Sequence, residues 1–157
     1  MKPTVYIETS IIGYLASRPS RDLITAANQQ MTHEWWHDHR GRYDIFISQA
    51  VIKECSAGDP VAAQERLRLL VGISHLELTK PVRKLARRLI GRTLLPEKAR
   101  VDALHIAVSA VHGIEYLLTW NCTHMANAEL RSRIDEACVA SGFAAPKICT
   151  PQELMGA

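Results

Sequence analysis

Short apolar runs alternate with longer stretches of helical period along this chain, and that alternation is the first thing the sequence says about its fold. Runs rich in β-branched and aromatic residues cover Thr4 to Ile7, Asp44 to Ser48, His75 to Leu78, Glu115 to Thr119 and Lys147 to Cys149. They are short and apolar almost throughout, the pattern of strands covered on both faces. The segments between them read as helices. From Asp22 to His39, the positions Leu23, Ala27, Met31 and Trp35 recur every four residues and predict one buried stripe, with Trp36 turned elsewhere, to a partner, to a base or, first among these, to its own domain. Pro60, Pro81 and Pro96 stand where helices begin, because the N–H that proline lacks is unpaired there in any case. Gly72, Gly91 and Gly113 stand where helices end. Strands separated by helices predict an α/β domain with a mostly parallel sheet.

Length and composition narrow this. A chain of 157 residues with 47% apolar content supports one hydrophobic core, so a single domain over 1–157 is expected. The net charge is only +3, but Arg83, Lys84, Arg87, Arg88, Arg92, Lys98 and Arg100 fall in one stretch against Glu97 alone. That stretch is either a surface for a polyanion or the solvated face of an amphipathic helix whose buried side is Val82, Leu85, Ala86, Leu89 and Ile90. Cys55, Cys122, Cys138 and Cys149 form no CxxC pair, which argues against a zinc knuckle or a thioredoxin motif and for reduced thiols. The most apolar region, residues 101 to 118, is broken by Asp102, His105, His112 and Glu115. Neither it nor the N-terminus reads as a membrane span or signal peptide, so a cytoplasmic protein is expected.

The chemistry begins at VYIETS, where the first strand runs directly into Glu8 and two hydroxyls, Thr9 and Ser10. In an open α/β sheet, ligands gather beyond the carboxyl ends of the strands. Glu8 belongs to that rim, and so does Asn121, just past the fourth strand in LLTWN. Glu54 lies in the helix entered after the second strand, in ISQAVIKE, and Asp102 in the helix that precedes the fourth. Carboxylates repel one another, so gathering them makes sense chiefly around a cation; oxygen ligands of this kind suit Mg²⁺ or Mn²⁺.

Taken in order, VYIETS followed by IIGYL, then ISQAVIKE, then KARVDALHIAVSAVHG, then YLLTWNCTHMANAEL resemble the PIN-domain family, and within it the VapC-like toxins of bacterial type II toxin–antitoxin systems. The resemblance runs from Lys2 to about Gln152. It implies a PIN-like α/β/α sandwich with a central, mostly parallel sheet of four to five strands. It also implies a Mg²⁺- or Mn²⁺-dependent endoribonuclease that hydrolyses RNA phosphodiester bonds with a metal-activated water and is neutralised by a small cognate antitoxin. A homodimer belongs to the same expectation; a membrane does not.

Carried over by position, the four site residues fall on Glu8, Glu54, Asp102 and Asn121. Glu8, Asp102 and Glu54 are expected as metal ligands, with Glu54 either a ligand or the orienter of the attacking water. Asn121 is an accessory polar group or the residue that closes the turn. Thr9, Ser10 and Thr119 are expected behind the ligands or on a phosphate, and Arg83, Arg87, Arg88, Arg92, Lys98 and Arg100 are candidates for RNA binding. His105 and His124 are assigned to packing or hydrogen bonding, without a metal. Two positions depart from the family pattern: Glu8 and Asn121 stand where aspartate is usual. The competing reading is therefore a catalytically weakened PIN-fold module that binds RNA or protein. A nuclease for structured DNA is disfavoured, since the chain has little length to spare for gripping a duplex.

Overall fold

The computed structural model describes residues 1–156; Ala157, the last residue of the expected domain, lies outside the described residues. Five parallel strands form one sheet: β1 (Thr4–Ile7), β2 (Asp44–Ser48), β3 (Ser74–Leu76), β4 (Tyr116–Leu118) and β5 (Lys147–Cys149), in the order β3-β2-β1-β4-β5. All four pairings are parallel, so the sheet expected to be mostly parallel is wholly so. The connections are the helices α1 (Thr9–Ala16), α2 (Leu23–Glu34), α3 (Gln49–Cys55), α4 (Pro60–Leu69), α5 (Lys80–Arg88), α6 (Arg100–Val111) and α7 (Ala128–Ala140), with a last turn α8 (Pro151–Leu154). Helices covering both faces make this the expected PIN-like α/β/α sandwich.

The central strands are buried as their apolar sequences demand. Val5, Tyr6, Ile7, Leu117 and Leu118 are all 0% exposed, and each apolar side chain of this size contributes roughly 1.5–3 kcal/mol by leaving water. Their neighbours in the core come from α1 (Ile11, Ile12), α3 (Val51, Cys55), α5 (Val82, Leu85) and α6 (Ala103, Ile106, Ala107). The basic stretch behaves as an amphipathic helix: Val82, Leu85 and Leu89 are buried, Ala86 and Ile90 partly so, and Arg83, Arg87 and Arg88 are exposed.

Helix starts follow local chemistry. Asp59 caps α4 by accepting from Ala62 N at 2.9 Å, with Pro60 behind it. Pro81 stands in the first turn of α5. Pro96 instead precedes a one-turn 3₁₀ segment, Glu97–Ala99, that leads into α6. Gly72 (φ 83°) and Gly113 (φ 69°) have the left-handed backbone expected after a helix. Gly91 does not; α5 ends at Arg88, and Gly91 lies in a turn where its N–H donates to Leu95 O.

The stripe expected from Asp22 to His39 is also revised. Leu23 is 85% exposed and Ala27 is exposed, whereas Gln29, Thr32, Trp35 and Trp36 are buried. The buried face runs instead through Gln29, Thr32 and Trp36 at three- and four-residue spacing, roughly opposite Leu23 and Ala27. The α-helix stops at Glu34 and a π-helical turn, Trp35–His39, follows, in which Arg40 N–H donates to Trp35 O. Both tryptophans pack on the domain: Trp35 against Tyr43, and Trp36 beneath the Arg40 guanidinium at 4.1 Å. No described helix is long and apolar enough to cross a membrane.

Candidate metal centre

The strand order places a topological switch point between β1 and β4: the chain leaves β1 toward β2 and β3, then returns to build β4 and β5 on the other side. The crevice beyond the carboxyl ends of such a strand pair is where ligands bind in doubly wound sheets. Glu8 follows β1 and Thr119 follows β4, so both stand at this crevice.

Glu8 is buried and is held by its immediate neighbours in the fold. Its backbone N–H donates to Leu118 O at 3.1 Å, and its side chain caps α1. Glu8 Oε1 accepts from Ser10 N at 3.1 Å, from Thr119 Oγ1 at 2.7 Å and from Ser10 Oγ. Ser10 Oγ in turn accepts from Trp120 N at 2.9 Å, and Thr119 Oγ1 from Asn121 N at 2.9 Å, so the loop after β4 is tied to the start of α1.

Glu54 reaches the same crevice from the last turn of α3. Its Oε1 accepts from Thr9 Oγ1 at 2.7 Å and lies 2.6 Å from His105 Nε2. Burial pushes the Glu54 carboxyl upward, but the hydrogen bonds from His105 and Thr9 outweigh burial and hold it below its ordinary value. His105, fully buried on α6, places its other ring nitrogen 2.7 Å from Tyr6 Oη. Ligand atoms of Glu8, Glu54 and His105 all lie within 4.8 Å of one another.

Asp102 stands outside that set of three. It is one turn before His105 on α6, partly buried, and its Oδ2 is 2.9 Å from His124 Nδ1. Asn121 is half-buried, and its Oδ1 accepts from His124 N at 3.2 Å, which closes the loop after β4. Thr9, Ser10 and Thr119 all donate to the carboxylates, as described. His105 and His124 each touch one carboxylate, in keeping with the hydrogen-bonding role expected of them. Tyr6 and Ser48 are participants that sequence reasoning passed over. Tyr6 shares a sheet face with Glu8 by the two-residue period of a strand, a cue that was available; Ser48 gave none.

The donor set fits a hard divalent cation. Each of the three carboxylates has one oxygen occupied by protein donors. Among the described residues no hydrogen bond reaches the other: Glu8 Oε2, Glu54 Oε2 and Asp102 Oδ1. A carboxylate with one oxygen held by protein donors and the other without one suits a ligand of a hard divalent cation, and Glu8 and Glu54 stand close enough to share one, whereas Asp102 lies outside that group. Burial pushes the Cys55 thiol, beside Glu54, up to about 11.

The basic candidates lie elsewhere. Arg83, Arg87 and Arg100 rim a groove of about 430 Å³ between α5 and α6, floored by Ala86, Ile90 and Leu104. Arg100 pairs with Glu97 at 3.3 Å, and Arg88 turns away to Ser141 Oγ at 3.0 Å. Arg92 and Lys98 are exposed in the connection between these helices. Leu104 and Asp102 are two residues apart on α6, roughly 200° around the helix, so the groove and the carboxylates occupy opposite flanks of one helix.

No protein-family model and no curated protein sequence matches this chain. Its structure does have relatives. VapBC2 from Rickettsia felis, solved bound to a DNA fragment from its promoter, aligns with 94% of this chain and 98% of its own, at 12% identity and a TM-score of 0.58. VapC20 from Mycobacterium tuberculosis, described as a sarcin–ricin loop cleaving toxin, aligns with 90% of this chain and 99% of its own, at 18% identity and a TM-score of 0.57. The likeness extends over nearly the whole of each chain, and this protein has the PIN-like fold of these VapC structures.

Proposed function

We propose that this protein is a divalent-metal-dependent endoribonuclease of the VapC type, with Glu8, Glu54 and Asp102 holding Mg²⁺ or Mn²⁺. The observation that carries this reading is the meeting of Glu8 and Glu54, delivered by separate elements, at the switch point of the sheet, each with one oxygen free of protein donors. A cation bound there supplies an activated water and neutralises charge at the scissile phosphate. The protein's own groups do the rest. Thr119 and Ser10 fix Glu8 against the sheet, Thr9 and His105 fix Glu54, and His124 fixes Asp102, so the acids need little rearrangement to receive a cation. Asn121 serves through its side-chain oxygen, which accepts from His124 N and presents His124 to Asp102.

The fold likeness to VapC20, a toxin described as cleaving the sarcin–ricin loop, supports RNA as the substrate class. The arginines of the groove between α5 and α6 are the natural contacts for RNA phosphates. Neutralisation by a small cognate antitoxin, a homodimer and a cytoplasmic location belong to the same reading, and the likeness to VapBC2 supports the antitoxin.

One observation favours the second reading, a weakened module: the Asn121 side chain accepts from His124 N and is spent on closing its loop. Incubating the purified protein with labelled RNA separates the two. Cleavage with Mn²⁺ that stops with EDTA and is lost in Asp102→Asn supports the nuclease. Retention on RNA without cleavage under any divalent ion supports the module.

A further inference from the structure

A line of polar groups runs through the interior from β2 to the crevice. Ser48 Oγ lies 2.8 Å from Tyr6 Oη, Tyr6 Oη 2.7 Å from His105 Nδ1, and His105 Nε2 2.6 Å from Glu54 Oε1. Ser48, Tyr6 and His105 are each 0% exposed, so these direct bonds are shielded from bulk solvent. A donor left unpaired in such a place is costly. The protons can therefore be assigned by counting.

Ser48 Oγ already accepts from Ala50 N at 3.3 Å. Among the described residues its remaining partner is Tyr6 Oη, so the Ser48 proton goes to Tyr6. The Tyr6 proton then goes to His105 Nδ1, which has to be bare to accept it. A neutral ring with a bare Nδ1 carries its proton on Nε2, and that proton meets Glu54. The reverse order strands the Ser48 proton, and with a neutral ring it sets a bare Nε2 against a carboxylate oxygen.

We propose that Tyr6 and Ser48 are positioning residues that lock His105 in its Nε2–H form, so that the ring aims Glu54 at the cation and is not itself a metal ligand. The inference rests on the reading of Glu8 and Glu54 as metal-holding acids and deepens it. Although His105 lies within 4.8 Å of both, both of its ring nitrogens are committed. The ligand shell contributed by the protein is then all oxygen, which favours Mg²⁺ or Mn²⁺ over Zn²⁺, an ion that readily takes imidazole. β1 thus serves the site twice: Glu8 is an acid of the centre, and Tyr6, on the same face of the strand, sets the partner of the other acid.

Long-range ¹⁵N–¹H NMR of the labelled wild-type protein near neutral pH, before and after addition of Mg²⁺, tests this without reference to activity. The expected spectrum shows His105 with Nε2 protonated and Nδ1 bare in both states. A ring protonated on Nδ1, or one that loses the Nε2 proton when Mg²⁺ is added, overturns the proposal. Tyr6→Phe, which keeps the ring and removes the hydroxyl, is expected to weaken Mn²⁺ binding about tenfold; unchanged affinity together with an unchanged tautomer overturns it. His105→Gln, which keeps an N–H donor for Glu54, is expected to bind Mn²⁺ more tightly than His105→Leu, and equal affinities count against the relay. If the wild-type spectrum is as expected but no RNA is cleaved under any divalent ion, the relay stands and the nuclease reading falls.

Discussion

Thr119 donates its hydroxyl to Glu8 Oε1 at 2.7 Å across the ends of two adjacent parallel strands, and accepts at the same oxygen from Asn121 N at 2.9 Å. One side chain, 0% exposed, therefore joins the acid after β1 to the loop after β4. Thr119→Val keeps the shape and removes the hydroxyl. Leaving a buried acceptor and a backbone N–H without their partner costs about 1–3 kcal/mol, and loss of a group that orients a ligand costs about 10–100-fold in metal affinity or activity. Chemical denaturation and Mn²⁺ titration of the variant check both effects.

Glu8→Asp restores the residue usual in the family yet is expected to impair this protein. The shorter arm draws the carboxylate back by about 1.5 Å, while Ser10 and Thr119 are placed to hold the longer one. A fall in Mn²⁺-dependent cleavage of about tenfold, together with a lower melting temperature because Ser10 and Thr119 lose their acceptor, is the expected result. Cleavage equal to wild type would show that the site tolerates either arm.

Glu54 links the site to pH. Its carboxyl is held below its ordinary value of 4.5 in the folded protein, because hydrogen bonds from His105 and Thr9 outweigh burial. Below that ordinary value the unfolded chain binds more protons than the folded one, so stability rises with pH through the interval between the two values. The contribution is present in full above the unfolded value and is lost as pH falls through the folded one. Denaturation curves from neutral pH into the acid range should show wild type losing its advantage over Glu54→Gln on the acid side; a constant difference would sink this account.

The arginines of the α5–α6 groove lie on the flank of α6 opposite Asp102, so binding and chemistry should separate. Replacing Arg83 and Arg87 together by Ala is expected to weaken RNA binding and to reduce the slope of log affinity against log salt by about 1 for each phosphate no longer neutralised. The rate at saturating RNA and the affinity for Mn²⁺ should stay as in wild type. A variant that binds RNA normally at all salt concentrations would remove the groove from the substrate path.

Much of the fold was legible because it is written locally. Apolar runs such as VYI and YLL are strands by composition, and α5 announces its buried and solvated faces by period alone. Glu8 and Glu54 were legible as candidates from their motifs and do stand together; that His105, and not Asp102, lies within 4.8 Å of both was not. Exposure at Leu23 was not legible, because α2 buries the polar Gln29 and Thr32 on its inner face and a row taken at every fourth residue drifts around the helix away from them.

What the sequence by itself determined is therefore the set of elements, their apolar faces and the identity of the acids that could hold a cation. Only the tertiary structure decided which groups hold those acids. Tyr6, Ser48, His105 and Glu54 come from β1, the end of β2, α6 and α3, and they meet because the strands align Tyr6 with Phe46, two residues before Ser48, while α6 packs its histidine over them. Periodicity carries information about one element's own faces; a hydrogen bond between four elements depends on sheet order and register, which only packing fixes.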